Sequence, residues 1–402
     1  MLAVQYLENG TYIADISPEQ ARARLRDAFA RLPIDCVILG WNLPSIFVEA
    51  CIQESSRAGA KTYLWHPLLT GDSLYPARPE WQTIGVNGER VPGFRDLPEF
   101  TFVCPNQPAA WEATFRRLRK AIRGKDYQGV FLDRIRYPSP VADPSRYLAC
   151  FCPDCQRLAA AEGLDLPVVQ KNLQKLLVEP ASGRLPTFLR ILFDATTEVS
   201  SDPDFEMLRL FLDFRARSVT RIVQAAAEIA RAEGLSVGLD CFTPALAYLV
   251  GQDLAALDAH CDWIKVMTYA HAYGPAGLPF ELSALAGWLK GFPTIDEGSA
   301  LDWVSQAAHL PLPIDMITLR EYGLSPEALA IEIRRARAAR LQTLLAGVEL
   351  VDLEGVTHLN SDQIAVDLRA IREADPDGLV LSWDLWWIPL ERLEIVRRSW
   401  IL

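Results

Sequence analysis

Eight short apolar runs separated by helical stretches organise the chain. They are Ala3–Leu7 (AVQYL), Cys36–Trp41 (CVILGW), Lys61–Leu69 (KTYLWHPLL), Gly129–Ile135 (GVFLDRI), Ser236–Phe242 (SVGLDCF), Trp263–Tyr269 (WIKVMTY), Thr343–Val351 (TLLAGVELV) and Gly378–Trp386 (GLVLSWDLW). Each run is nearly continuous in apolar residues rather than alternating, as parallel strands covered on both faces are. Amphipathic helices are expected over Pro18–Leu32, Ala109–Arg123, Arg209–Ala232, Pro326–Arg340 and Ser361–Ala374. Ser17 followed by Pro18, Glu19 and Gln20 is a helix start: a hydroxyl cap, then proline and polar residues in the first turn. Eight strands alternating with helices predict an α/β fold, the (β/α)8 TIM barrel. An open doubly wound sheet would carry a glycine-rich phosphate turn after strand one, and none is present.

Such barrels typically need about 250 residues, and this chain has 402. The pattern predicts one barrel domain over 1–402 with a long insertion after strand four, an excursion spanning 138–235. A smaller insertion follows strand three around Trp81–Glu99. Lys and Arg number 40 against 51 Asp and Glu, a formal net charge of −11. With no basic tract, that balance argues against nucleic acid and anionic membrane surfaces as partners. No run of about 18 uncharged apolar residues exists. The first residues, MLAVQYLE, lack the basic region of a signal peptide, so a cytoplasmic protein with reduced thiols is expected. Homo-oligomerisation is left open.

Four of the eight cysteines form a pattern. Cys150, Cys152 and Cys155 lie in CFCPDC, and Cys104 lies in VCPN after strand three. Thiolates spaced C-x-C-x2-C, closed by a distant fourth, suit tetrahedral zinc. Four sulfurs leave no open position, so the expected cofactor is a structural Zn2+, with no organic cofactor. Cys36, Cys51, Cys241 and Cys261 lie in apolar contexts and are expected to be core thiols.

The segment FTFVCPNQPAAWEATFRRLRKAI, strand GVFLD, and CFCPDCQRLA resemble the β-galactosidases of glycoside hydrolase family 42 over residues 100–160. That resemblance implies a sugar-active barrel with structural zinc on these four cysteines. It departs at strand four, where the family carries Asn-Glu and this chain reads LDRIRYP. That motif is similar to an aspartate motif in barrel proteins classed as glycosyl hydrolases. In α-retaining barrels of the amylase and α-galactosidase types, an Asp at this strand end is the nucleophile.

Barrel chemistry sits at the C-terminal strand ends. Those ends carry Trp41 and Asn42 (strand two), His66 (three), Asp133 (four), Asp240 (five), Lys265 with Tyr269 and His271 (six), Glu349 (seven) and Trp383 with Asp384 (eight). A strand-end Asp often only caps the next helix. Thr243-Pro244 is a better helix start than Asp240, the helix after Asp384 is expected near Pro389, and Asp133 precedes no helix signal. Ion pairs of Asp133 with Arg134 or Arg136, or of Glu349 with Lys265, are the other structural explanation. Glycosidic cleavage needs two carboxylates, a proton donor and a nucleophile or base. Asp133 is the expected nucleophile, with Asp240 and Glu349 competing as acid/base. Trp41, Tyr269 and Trp383 offer flat faces to sugars. Asn42, His66, His271, Lys265 and Asp384 are further candidate substrate contacts, and Arg134 and Arg136 candidates for an acidic group.

The leading expectation is a glycoside hydrolase cleaving a small glycoside or oligosaccharide. Alternatives are a lyase or aldolase with Lys265 as Schiff base, and a non-catalytic sugar-binding barrel. Metal-dependent hydrolysis is disfavoured, because the five scattered His form no H-x-H pair.

Overall fold

The computed structural model describes residues 1–178, 183–194, 196–197 and 202–402. Eight parallel strands close a barrel in chain order: β1 Leu2–Tyr6, β2 Cys36–Leu39, β3 Lys61–Pro67, β4 Gly129–Asp133, β5 Ser236–Cys241, β6 Trp263–Val266, β7 Leu344–Glu349 and β8 Gly378–Ser382. Closure is the pairing of β1 with β8, Leu2 opposite Leu379. The apolar runs overshoot the C-terminal ends of the strands. Leu68 and Leu69, for example, are fully buried beyond β3, so hydrophobicity continues where the hydrogen-bonded ladder has stopped.

Alternate residues divide between two cores. Outward residues such as Val4, Val37, Leu64, Val130, Val237, Ile264 and Leu379 pack against the helices. Ala3, Cys36, Ile38, Tyr63, Trp65, Phe131, Trp263, Leu345 and Val380 form the inner core. Large rings need room there, and two glycines supply it. A Cβ on Gly129 would lie 2.3 Å from the Tyr63 ring, and one on Gly238 would lie 2.2 Å from Trp263. Phe131 and Trp263 stack at 5.1 Å with planes 13° apart. The lower barrel is therefore filled by rings, and a cavity lies at its C-terminal mouth.

The helix Pro18–Phe29 starts as expected: the Ser17 hydroxyl accepts from Gln20 N (3.1 Å) and the Gln20 side chain accepts from Ser17 N (2.7 Å), a capping box. Between β4 and β5 lie the helices Pro144–Tyr147, Pro153–Ala161, Leu166–Val178, Leu185–Phe193 and Pro203–Ala232. Arg215 on the last is fully buried. It donates to Ala149 O (2.6 Å) and Leu249 O (3.0 Å), joining the excursion to the segment after β5. A second extension, which the apolar pattern did not reveal, places Leu278–Leu289, Glu297–Ala308 and Met316–Tyr322 between β6 and the helix Pro326–Ala338. Among the described residues, no helix is long and apolar enough to cross a membrane.

Candidate active site

The register of neighbouring strands brings the inward residues of the barrel mouth to one level. Asp240 on β5 pairs with Lys265 on β6, and Leu132 on β4 pairs with Leu239 on β5, so Asp133 and Asp240 are the residues that follow the last matched pair of β4 and β5. Together they line a cavity of about 240 Å³ with Gln5, Glu8, Trp65, Arg134, Tyr269 and Trp383.

The two aspartates sit in different surroundings. Asp133 Oδ2 accepts from Trp65 Nε1 at 3.0 Å, and its other oxygen accepts the backbone N–H of Arg134. Arg134 holds a left-handed backbone (φ 54°), uncommon for a residue with a side chain, and its Nε lies 4.0 Å from Asp133. Asp240 is 3% exposed, and its Oδ1 has no hydrogen-bond partner among the described residues. Burial pushes its carboxyl up to about 7, against the opposing pull of Lys265, whose Nζ lies 3.1 Å from Oδ2.

Lys265 is fully buried beneath this pair. It donates to Gln5 Oε1 (3.0 Å), Asp240 Oδ2 (3.1 Å) and Tyr269 OH (2.7 Å). An ammonium has three N–H groups, so none is left for a substrate. Lys265 does not line the cavity, and its acid partner is Asp240 rather than Glu349. This geometry works against the Schiff-base alternative.

Arg136 reaches the cavity wall with its guanidinium between the Phe102 and Phe242 rings, 4.5 Å from each centroid. Trp383 meets Tyr269 edge-on at 5.6 Å. Asp133, Asp240, Arg134, Arg136, Tyr269 and Trp383 thus share one cavity.

The remaining expected residues lie elsewhere. Trp41 stands behind the wall, edge-on to Trp65 at 5.4 Å and under the Arg134 guanidinium. Asn42 and His66 line a second cavity. Glu349 accepts the His271 backbone N–H at 2.7 Å, and burial pushes its carboxyl up to about 7. The His271 ring in turn pairs with Asp367 at 2.8 Å. Asp384 accepts from the backbone N–H groups of Leu7 (2.9 Å), Glu8 (3.1 Å) and Trp386 (3.0 Å), and from the Tyr12 hydroxyl. It caps no following helix, yet its oxygens are occupied by the β1 loop. Neither Glu349, His271 nor Asp384 lines the cavity at Asp133.

Glu8 was missed at the sequence level. It lies two residues past β1 and lines the cavity, and burial pushes it up to about 7 while Arg134 opposes. The strand-end rule applied to strand one would have found it. Arg95 and Tyr273, also in the lining, come from long loops whose return to the mouth no local pattern announces.

The four cysteines converge. Cys104, Cys150, Cys152 and Cys155 are buried, with all four Sγ atoms within 4.8 Å of one another. Cys104 Sγ lies 3.4 Å from Cys155 Sγ and 3.5 Å from Cys152 Sγ. Zn–S bonds of about 2.3 Å in a tetrahedron imply S···S edges of roughly 3.8 Å, so the donor set is compatible with a metal ion. Ile84 N and Asn106 N point at the sulfurs of Cys150 and Cys104, each at 3.3 Å, as outer-shell donors to such ligands do.

No protein-family model and no curated protein matches the chain. Among solved structures, the chain is similar to the PgaB (BpsB) glycoside hydrolase domain from Bordetella bronchiseptica. The identity is 14% over 98% of this chain and 97% of that one, with a TM-score of 0.54. It is also similar to the catalytic domain of β-amylase from Paenibacillus polymyxa, with 10% identity over 100% of this chain and 98% of that one and a TM-score of 0.54. At these identities the likeness is one of fold, and the neighbours are glycoside hydrolases.

Proposed function

We propose that the protein is a retaining glycoside hydrolase in which Asp133 is the nucleophile and Asp240 the acid/base. The observation that carries this reading is the matched placement of two unlike carboxylates on neighbouring strands facing one cavity. Side chains on one face of neighbouring strands can approach the carboxyl separation of about 5–5.5 Å used for retention. Pairs of carboxyl groups whose surroundings differ divide acid and nucleophile roles. Asp240, whose pKa burial pushes up to about 7 against the pull of Lys265, gives its proton to the glycosidic oxygen. Asp133, oriented by Trp65 and the Arg134 amide, forms the bond to the anomeric carbon as the leaving alcohol departs. Asp240, now a carboxylate, takes a proton from water; the water oxygen attacks the anomeric carbon and Asp133 is released. Trp383 and Tyr273 offer ring faces for the sugar. Lys265 is a positioning residue that fixes Asp240.

In this reading Cys104, Cys150, Cys152 and Cys155 hold a structural zinc ion that ties the 138–235 excursion to the loop after β3, within one barrel domain. The ion supplies cross-linking and no chemistry, because four sulfurs fill its coordination. Metal analysis of the purified protein is expected to find about one zinc per chain, and other metals or none would overturn that assignment.

The catalytic assignment is tested with activated 2-deoxy-2-fluoro glycosides across a panel of sugars and both anomers. Peptide mass spectrometry is expected to find the sugar ester on Asp133. An inverted product with a cleaved substrate, or a label elsewhere, would sink it.

A further inference from the structure

A second cavity of about 170 Å³ opens between the ends of β2 and β3 and the helix Pro108–Ile122, and it shares no lining residue with the catalytic one. Its charge is one-sided. Arg117, Lys120 and Lys125 line it against a single acid, Asp72. Asp72 Oδ1 accepts from Leu74 N and Tyr75 N (2.8 and 2.7 Å), and Oδ2, which has no hydrogen-bond partner among the described residues, lies 3.6 Å from Arg117. Arg117 donates from its two terminal nitrogens to the carbonyls of Pro67, Leu68 and Thr70, and its Nε has no partner among the described residues. The lysines are less committed. Lys120 Nζ donates to Tyr75 OH (3.1 Å) and Lys125 Nζ to Ser45 Oγ (2.7 Å), one of the three N–H groups each carries.

Two further buried polar groups on the same wall lack partners. His66 is 2% exposed and Trp41 is 5% exposed, and neither His66 Nε2 nor Trp41 Nε1 has a hydrogen-bond partner among the described residues. Buried polar atoms are nearly always paired, so the unpartnered nitrogens of His66, Trp41 and Arg117, at a cavity with three cations against one acid, mark places for a ligand's acceptors. Burial, with Arg117 adding to it, keeps the His66 pKa well below its usual value; the ring is neutral and carries one N–H.

We propose that this cavity is a binding site for a small oxyanion, held by Lys120 and Lys125 at the mouth and by the indole N–H of Trp41 and the imidazole of His66 at the base. Lysine ammonium groups are compact point charges suited to such groups. The oxyanion is a phosphate, sulfate or carboxylate, free or carried on a small molecule. The site is independent of the glycosidase assignment, although it adjoins it: Trp41 meets Trp65, which donates to Asp133.

The test is titration of the intact protein with sodium phosphate, sodium sulfate and sodium acetate, each at constant ionic strength against chloride. Calorimetry reads binding, and the Trp41 indole and His66 ring resonances report location. Saturable 1:1 binding that shifts both resonances is expected, weakened at least about tenfold in Lys120→Ala/Lys125→Ala. Preference for phosphate and sulfate over acetate identifies a tetrahedral group, and the reverse a carboxylate. Responses no larger than chloride, or binding unchanged in the double variant, would overturn the proposal. Asp133→Asn is expected to bind the anion as the wild type does, which separates this site from the catalytic reading.

Discussion

The two sides of the barrel mouth carry the same chemistry in sequence and different chemistry in space. On the β4–β5 side, Asp133 and Asp240 face open cavity. On the β7–β8 side, Glu349 and Asp384 are as deeply buried (4% and 2% exposed) but bonded to backbone: Glu349 to the amide of His271, Asp384 to those of Leu7, Glu8 and Trp386. Burial alone does not distinguish a carboxylate that faces the cavity from one that holds backbone. The distinction is the cavity, which Asp133 and Asp240 line and Glu349 and Asp384 do not. Asp240 keeps Oδ1 unpartnered, whereas the oxygens of Asp384 hold the β1 loop in place.

The largest expected effect separates the sides most directly. Asp133→Asn is expected to lower kcat by about 10⁴-fold or more with an unchanged unfolding midpoint. Glu349→Gln is expected to keep kcat within a few fold. Equal losses in both would erase the contrast. Next, Asp240→Asn is expected to cost about 10²–10⁴-fold, the ordinary worth of a general acid. Because Asp240 is pushed up to about 7 and must enter the reaction protonated, wild-type kcat/KM is expected to fall above about pH 7. A limb that persists in Asp240→Asn would move the acid role to Glu8.

Smaller effects belong to the β7–β8 side and appear in stability. Asp384→Asn turns an amide toward N–H groups that need an acceptor, and is expected to cost about 2–4 kcal/mol in denaturant unfolding. No loss would mean that the β1 loop does not depend on it. The mildest effect is a pH slope. Folded Glu349 keeps its proton up to about pH 7, whereas the unfolded chain releases it near about pH 4.3. Between those values the folded state binds more protons, so this contribution to stability declines as pH rises. Glu349→Gln is expected to flatten that decline in urea midpoints measured across the window.

Much of this molecule is legible in its sequence. All eight strands begin within a residue of the apolar runs, because a strand buried on both faces must be apolar along its whole length. Asp133 was identifiable because Arg134-Ile135-Arg136-Tyr137-Pro138 starts no helix, which left a strand-end carboxylate without a capping duty. The cysteine set was legible because thiolate spacing is local on three of its four members. Those same continuous runs hide what the tertiary structure decides. With no alternation of polarity, they carry no mark of which residues face the lumen. The donors that engage Glu349 and Asp384 come from His271, 78 residues away, and from Leu7 and Glu8, some 377 and 376 residues away. Glu8 enters the cavity, and His66 and Asn42 leave it for the second one, only once the barrel closes. Local sequence determined the strands and the chemical groups at their ends. Closure, which brings distant loops onto those groups, decided which carboxylates face the cavity.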